Sequence, residues 1–172
     1  TIDSNKIKEF CNRNSFSQNS LFLSSLALTL NKYTFSDKTL ITTIFNGRAD
    51  PNYFNTQGFL VKTLPLIIKH ENREQTIEEF IKSVDKTWIE SINNSIYPYT
   101  KIADKYQLKP EFFYTYQESG ESNEITLNDK TIAVEGLLMD DISTANYKIN
   151  LNITDTSEEL ELILQYNDQL YS

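Results

Sequence analysis

Near the end of the chain, residues alternate in character with a period of two. Tyr147, Ile149, Leu151 and Ile153 alternate with Lys148, Asn150, Asn152 and Thr154. Leu160, Leu162, Leu164 and Tyr166 alternate with Glu161, Ile163 and Gln165. That period on both sides of the polar stretch 154–159 predicts an antiparallel hairpin with one wet face. Two shorter apolar runs read as strands. Leu40 to Phe45 is β-branched and stops at the turn signal Asn46-Gly47, and Leu64 to Ile68 carries Pro65 near its start, where a missing amide is tolerable. Apolar side chains on both faces of each run predict central, covered strands. Phe112 to Gln117, rich in aromatics, is a further strand.

Helical spacing marks three other segments. Ser17 suits an N-cap for a helix running to about Lys32, with Phe22, Leu26 and Leu30 four apart and Leu23 and Ala27 beside them. Thr76 and Glu79 form a capping box opening a helix from Ile77 to about Asn93. Its apolar stripe is Ile77, Ile81, Val84, Trp88 and Ile92, so Trp88 is expected beneath the sheet. Pro98 fits the first turn of another helix, with Ile102, Ala103 and Tyr106 turned inward. Between Glu118 and Ala145 the pattern lapses into a polar start and two short apolar pieces, Ile125 to Leu127 and Ile132 to Met139. A connection this long inside a compact domain is functional or reaches elsewhere. Together the elements define an α/β fold, a mixed sheet with helices packed on it, as a single domain over 1–172.

Composition excludes several classes. A net charge of −8 works against nucleic acid, whose binding needs Lys and Arg against phosphates. Ten tyrosines and ten phenylalanines could stack bases, but without a basic groove they are read as core. No apolar run is long enough to span a bilayer, which removes a membrane partner. Cys11 is the only cysteine, so no internal disulfide can form, which suits a reducing cytoplasm. The first residue is Thr1 rather than Met, which points to a piece of a longer polypeptide.

Four blocks then share one resemblance. Gly47-Arg48 precedes Gly58-Phe59-Leu60-Val61-Lys62-Thr63-Leu64-Pro65-Leu66; Asn94-Ser95-Ile96-Tyr97-Pro98-Tyr99-Thr100 follows, then Lys109-Pro110-Glu111-Phe112-Phe113-Tyr114-Thr115-Tyr116-Gln117, and finally Tyr166-Asn167-Asp168-Gln169-Leu170-Tyr171. In this order and at about this spacing they resemble the condensation domains of nonribosomal peptide synthetases. Those domains pair two chloramphenicol-acetyltransferase-like lobes in a V, with a reaction tunnel between them. The resemblance implies that this chain is the C-terminal lobe. The family's catalytic His-His-x-x-x-Asp-Gly block lies in the other lobe, and the single histidine here, His70, has no Asp-Gly nearby.

Several polar positions depart from the family. Lys62 stands where it usually has Asn and Ile67 where it has Arg, while Asn94, Ser95, Ile96 and Thr100 replace its His, Gln, Asp and Glu. The apolar framework persists while the polar decoration drifts, which supports the fold more strongly than the chemistry.

Individual candidates are sparse. His70 sits among charged residues and is read as a solvated loop residue, since a general base needs a positioned partner. Cys11 has no matched base and is read as a buried or incidental thiol. Asp140, Asp141 and Asp155 lack the spacing of a calcium loop, and neither zinc ligands nor a phosphate-cradling loop are present. Arg48 is either a surface or structural arginine after a tight turn, or a fork to carbonyls or a carboxylate that fixes a loop on the tunnel wall. With Gly58, Lys62 and Thr63 it forms the set of substrate-channel candidates; no catalytic, metal or cofactor residue is assigned.

The resemblance implies an intact domain that joins acyl and aminoacyl groups carried as thioesters on the phosphopantetheine arms of carrier domains. This lobe would supply one tunnel wall and a carrier-docking surface, and alone it should be inactive. Its implied partners are the N-terminal lobe of the same polypeptide and the carrier domains, with no cofactor of its own. Segment 118–145 would cross towards the missing lobe, and in the isolated chain its apolar pieces should drive self-association. Two other readings remain: a non-catalytic interaction module, or an epimerisation or cyclisation variant on the same fold.

Overall fold

A computed structural model of the chain describes residues 4–48, 50–70, 74–118, 124–127, 130–133, 147–155 and 159–170. Helices α1 (Ser4–Asn14) and α2 (Gln18–Thr34) lead into strand β1 (Lys38–Phe45). A 3-10 turn at Pro51–Tyr53 separates β1 from β2 (Lys62–Lys69), and α3 (Ile77–Asn93) and α4 (Tyr99–Tyr106) follow. Strands β3 (Phe112–Glu118), β4 (Glu124–Leu127), β5 (Lys130–Ala133), β6 (Ile149–Asp155) and β7 (Leu160–Tyr166) complete the order.

Five strands form a mixed sheet in the order β2-β1-β3-β6-β7. The two outer pairs are antiparallel, β1 with β2 and β6 with β7, whereas β3 runs parallel to both β1 and β6. Register places Leu66, Ile41, Phe112, Ile149 and Tyr166 in one row across the sheet, and Leu64, Thr43, Tyr114, Leu151 and Leu164 in the next row of the same face. On this face α2 and α3 pack over the β1–β2 end and close the core. Leu23, Leu26, Ala27 and Leu30 from α2 meet Phe80 and Val84 from α3 over Ile41, Leu66, Ile68, Tyr114 and Ile153.

Local chemistry explains the helix ends. Ser17 caps α2 by accepting from the Ser20 amide at 3.0 Å. Thr76 and Glu79 make the reciprocal capping box of α3, the Thr76 amide donating to Glu79 Oε2 at 2.8 Å. Small residues let α2 and α3 approach. Ser20 and Ser24 are buried, the Ser24 hydroxyl turning back to the Ser20 carbonyl at 2.6 Å and the Ser20 hydroxyl donating to Asp85.

Several sequence expectations are corrected. β2 is an edge strand rather than a central one: it pairs only with β1 among the described residues, and Ile67 is 49% exposed. The stripe of α3 faces the core at Ile81 and Val84, both buried, and at the half-buried Trp88, but its first residue, Ile77, is 61% exposed and Phe80 is buried beside the stripe. Phe80, Ile81 and Val84 therefore face the core, and the first residue of the helix points away. Tyr106 also faces outward, at 64% exposure, because the short α4 lies over the β2 edge and offers little surface to cover. The terminal hairpin has more than one wet face: Leu162, Ile163, Leu164 and Tyr166 are all substantially exposed, since among the described residues α2 and α3 lie over the other end of the sheet. Helix α1 was not read from sequence, although Ile7, Phe10 and Cys11 repeat at helical spacing and pack with Phe16 and Ile81.

In the long connection, β4 and β5 pair with each other, Ile125 opposite Ile132. Val134 to Met139 and the remaining return to Ala145 lie outside the described residues, as do Asp140 and Asp141.

Candidate functional site

β1 and β3 run parallel, so their C-terminal ends lie together, and there the sheet opens into a cleft of about 1000 Å³. Phe45 and Asn46 from the end of β1, Val61 from the approach to β2, and Tyr116 to Glu118 from β3 line it, with Trp88 from α3 behind. Lys8, Cys11 and Asn12 of α1 and the first turn of α2, Ser17 to Asn19, complete the wall.

Beneath that wall sits a buried carboxylate. Asp155, the last residue of β6, is 7% exposed. Its Oδ2 accepts hydrogen bonds from Gln18 Nε2 and from the Tyr116 hydroxyl, each at 2.9 Å, and its Oδ1 lies 3.4 Å from Lys8 Nζ. One side chain thus joins α1, α2, β3 and β6. A charge placed this deep is tolerable because a cation and two neutral donors compensate its lost hydration. Burial, reinforced by the hydrogen bond to Asp155 and by its charge, pushes the Tyr116 phenol well above its ordinary value. The phenol therefore stays protonated and acts as a donor, not a base. Tyr114, one step up the strand on the same face, is buried too and donates to the Asn19 carbonyl at 3.1 Å.

Cys11 also lines the cleft. Cys11 is 2% exposed and burial pushes its thiol up, away from the reactive thiolate. No group of His, Cys, Asp and Glu among the described residues is arranged to hold a metal ion.

The four channel candidates are not brought together in the cleft. Arg48 is committed to its own loop: its Nη1 donates to the carbonyls of Tyr53 and Thr56, and its amide donates to Asn46 Oδ1 at 2.9 Å. These bonds make it a structural arginine of the loop after the turn. The turn before it requires glycine, because Gly47 has φ 73° and a Cβ there would lie 2.0 Å from the Leu60 carbonyl oxygen. Gly58 lies in the exposed loop, and Lys62 and Thr63 open β2 opposite Phe45 and Ile44. Their neighbours Asn46 and Val61 reach the cleft, whereas these four do not line it.

His70 directly follows β2 and is half-buried rather than solvated. Its ring stacks on Phe80 with centroids 5.5 Å apart, its Nε2 lies 2.8 Å from Thr39 Oγ1, and its amide donates to the Asp37 carbonyl at 2.8 Å. Burial lowers its basicity, and the nearby Asp37 charge opposes that only in part. It lies at the other end of the strands from the cleft, beside a smaller cavity with Phe80, Ile77 and Leu28.

Sequence reasoning missed Lys8, Gln18 and Asp155. Asp155 falls in the polar stretch between two alternating strands, and Lys8 lies on α1, outside the helical segments that the sequence pattern marks. The only available signal was an acidic residue closing an alternating strand, and many exposed strands end that way.

A mixed sheet covered on one face by helices, with a cleft at the ends of its parallel strands, defines the class of fold. The condensation-domain family model matches residues 3–172, and the chain belongs to that family. It is 23% identical over 159 residues to gramicidin S synthase 2 of Brevibacillus brevis, an alignment covering 88% of this chain and 4% of that protein. Among solved structures it resembles holo-AB3403, a four-domain nonribosomal peptide synthetase bound to AMP and glycine, with a TM-score of 0.78 and 16% identity over 96% of this chain and 14% of that one. It also resembles the epimerization domain from the third module of tyrocidine synthetase B, with a TM-score of 0.62 and 14% identity over 98% of this chain and 42% of that one. No helix among the described residues is long and apolar enough to cross a membrane.

Proposed function

We propose that this chain is the C-terminal lobe of a nonribosomal peptide synthetase condensation domain, which joins carrier-bound acyl and aminoacyl thioesters as amides. The carrying observation is one of extent: the family model runs from residue 3 to residue 172, yet the chain accounts for only 42% of a single related epimerization domain. The lobe would contribute one wall of the reaction tunnel and part of the surface where carrier domains dock. The catalytic histidine would come from the companion lobe. The stacking of His70 on Phe80 and its turn to Thr39 support assigning that work to the companion lobe. Arg48 and Gly58 would shape the tunnel wall through their loop, with Lys62 and Thr63 at its foot. A chain of net charge −8 gains no long-range steering towards acidic carriers, so docking would rest on a local patch and on covalent tethering.

A second reading keeps the fold and changes the chemistry. The likeness to an epimerization domain, together with Lys62 and Ile67 at positions where the family usually has Asn and Arg, favours a variant or a non-catalytic recruiting module. Assays of the parent polypeptide with carrier-bound thioesters separate the three, through an amide product, an inverted stereocentre, or carrier binding without turnover. The chain alone should be inert. Amide formation by the isolated chain, abolished by His70→Ala, would overturn the single-lobe reading.

A further inference from the structure

The two edges of the sheet are built differently. β2 carries Lys62 and Lys69 at its ends and Pro65 within it, and α3 and α4 both pack against it. These are common protections against edge pairing. β7 reads Leu-Glu-Leu-Ile-Leu-Gln-Tyr, with one charge and no proline. Leu162, Ile163, Leu164 and Tyr166 are 40%, 44%, 59% and 59% exposed, and among the described residues no strand pairs with its outer edge.

The backbone at that edge is in phase for pairing. The Asn167 amide donates inward to the Lys148 carbonyl at 3.0 Å. Alternation along the strand turns Gln165, Ile163 and Glu161 inward as well, opposite Asn150, Asn152 and Thr154. The amides and carbonyls of Leu160, Leu162, Leu164 and Tyr166 therefore face outward.

From this we infer that β7 is a self-pairing edge, at which two copies of this chain join antiparallel about a two-fold axis through Ile163. In that register Leu162 exchanges backbone hydrogen bonds with the partner's Leu164, and Leu160 does so with the partner's Tyr166. All of these carry their side chains on the same sheet face as the core residues Leu151 and Ile153. Glu161 lies opposite the partner's Gln165, so the only charge on the strand never meets its own copy. A parallel pairing would bring the two glutamates together, which is unfavourable. Registers shifted by one residue pair inward-facing with outward-facing residues, and a two-fold through Leu162 pairs the three leucines but leaves Tyr166 beyond the end of the partner's strand. The paired sheet would run continuously through both copies, with the helices of both on one side. This inference is independent of the chemistry proposed for the parent domain.

Sedimentation of the 1–172 chain over a concentration series should show a monomer–dimer equilibrium. Because each chain carries −8, added salt should strengthen the dimer by screening repulsion between the copies. Ile163→Cys should yield a disulfide-linked dimer under mild oxidation. Residues at a non-hydrogen-bonded antiparallel pair stand about 4.5 Å apart, within disulfide reach. Glu161→Cys should not, since its counterpart would be about 13 Å away along the strand. Ile163→Lys sets two cations face to face and should weaken dimerisation by about tenfold or more without altering the monomer's circular dichroism. A chain that stays monomeric at every concentration would overturn the proposal. So would a dimer that cross-links through Glu161→Cys but not through Ile163→Cys.

Discussion

The two ends of this sheet show how far one pattern can diverge in its consequences. Leu66 on β2 and Leu164 on β7 occupy neighbouring rows of the same face, and the pleat turns both towards the side on which the helices lie. Leu66 is fully buried beneath α2 and α3, while Leu164 is 59% exposed. Alternation dictates which side chains share a face. It does not dictate whether anything covers that face, because cover comes from elements distant in sequence. The stability of this chain should therefore be concentrated at the β2–β1–β3 end.

The largest expected effect tests that directly. Leu66→Ala should cost about 2–5 kcal/mol, the loss of a buried leucine plus the cavity left behind. Leu164→Ala should stay within about 0.5 kcal/mol, as for surface positions. Chemical denaturation midpoints, taken at concentrations where the chain is monomeric, compare the two. Near-equal losses would mean that β7 is covered in solution.

Next comes the central strand. Tyr114→Phe removes the hydroxyl that bonds the Asn19 carbonyl and should cost about 1–2 kcal/mol. Amide exchange at the start of α2 should accelerate in the same variant, and unchanged exchange there would argue that the bond ties nothing together.

The smallest effect is a titration confined to the covered end. Burial holds the His70 pKa below its ordinary value of 6.5. The unfolded chain therefore takes up a proton there first as pH falls. Stability linked to His70 is fully present above about pH 6.5 and is lost as the pH drops through the folded-state value. Exchange in β2 and α3 should quicken over that window, while β6 and β7 should not respond. His70→Gln should flatten the dependence, and a slope that survives in this variant would assign it to other groups.

Most elements were legible because their signals are local. Ser17 as a cap, the Thr76–Glu79 box, the turn at Asn46-Gly47 and the period of two in the last strands each act within a few residues. The cleft was less legible. Its walls come from α1, α2, β1 and β3, and its buried hub joins Asp155 to Lys8 across 147 positions and to Gln18 across 137. No window of sequence contains such a pairing. Arg48 shows the intermediate case: its turn could be read, but its carbonyl partners depended on how the chain folded back from Tyr53 to Thr56.

By itself, then, the sequence determined which residues become helix and strand, which face of each is apolar, and, through its ordered motif blocks, the family. Those properties follow from backbone propensity, capping and side-chain period. Tertiary structure alone decided that β2 lies at an edge, that Ile77 and Tyr106 face outward, and that Asp155 is buried beneath a cleft. It also decided that one apolar edge is guarded while the other is open. Each of those outcomes depends on what packs against a residue across long separations, and burial energies are assigned only once that neighbour is in place.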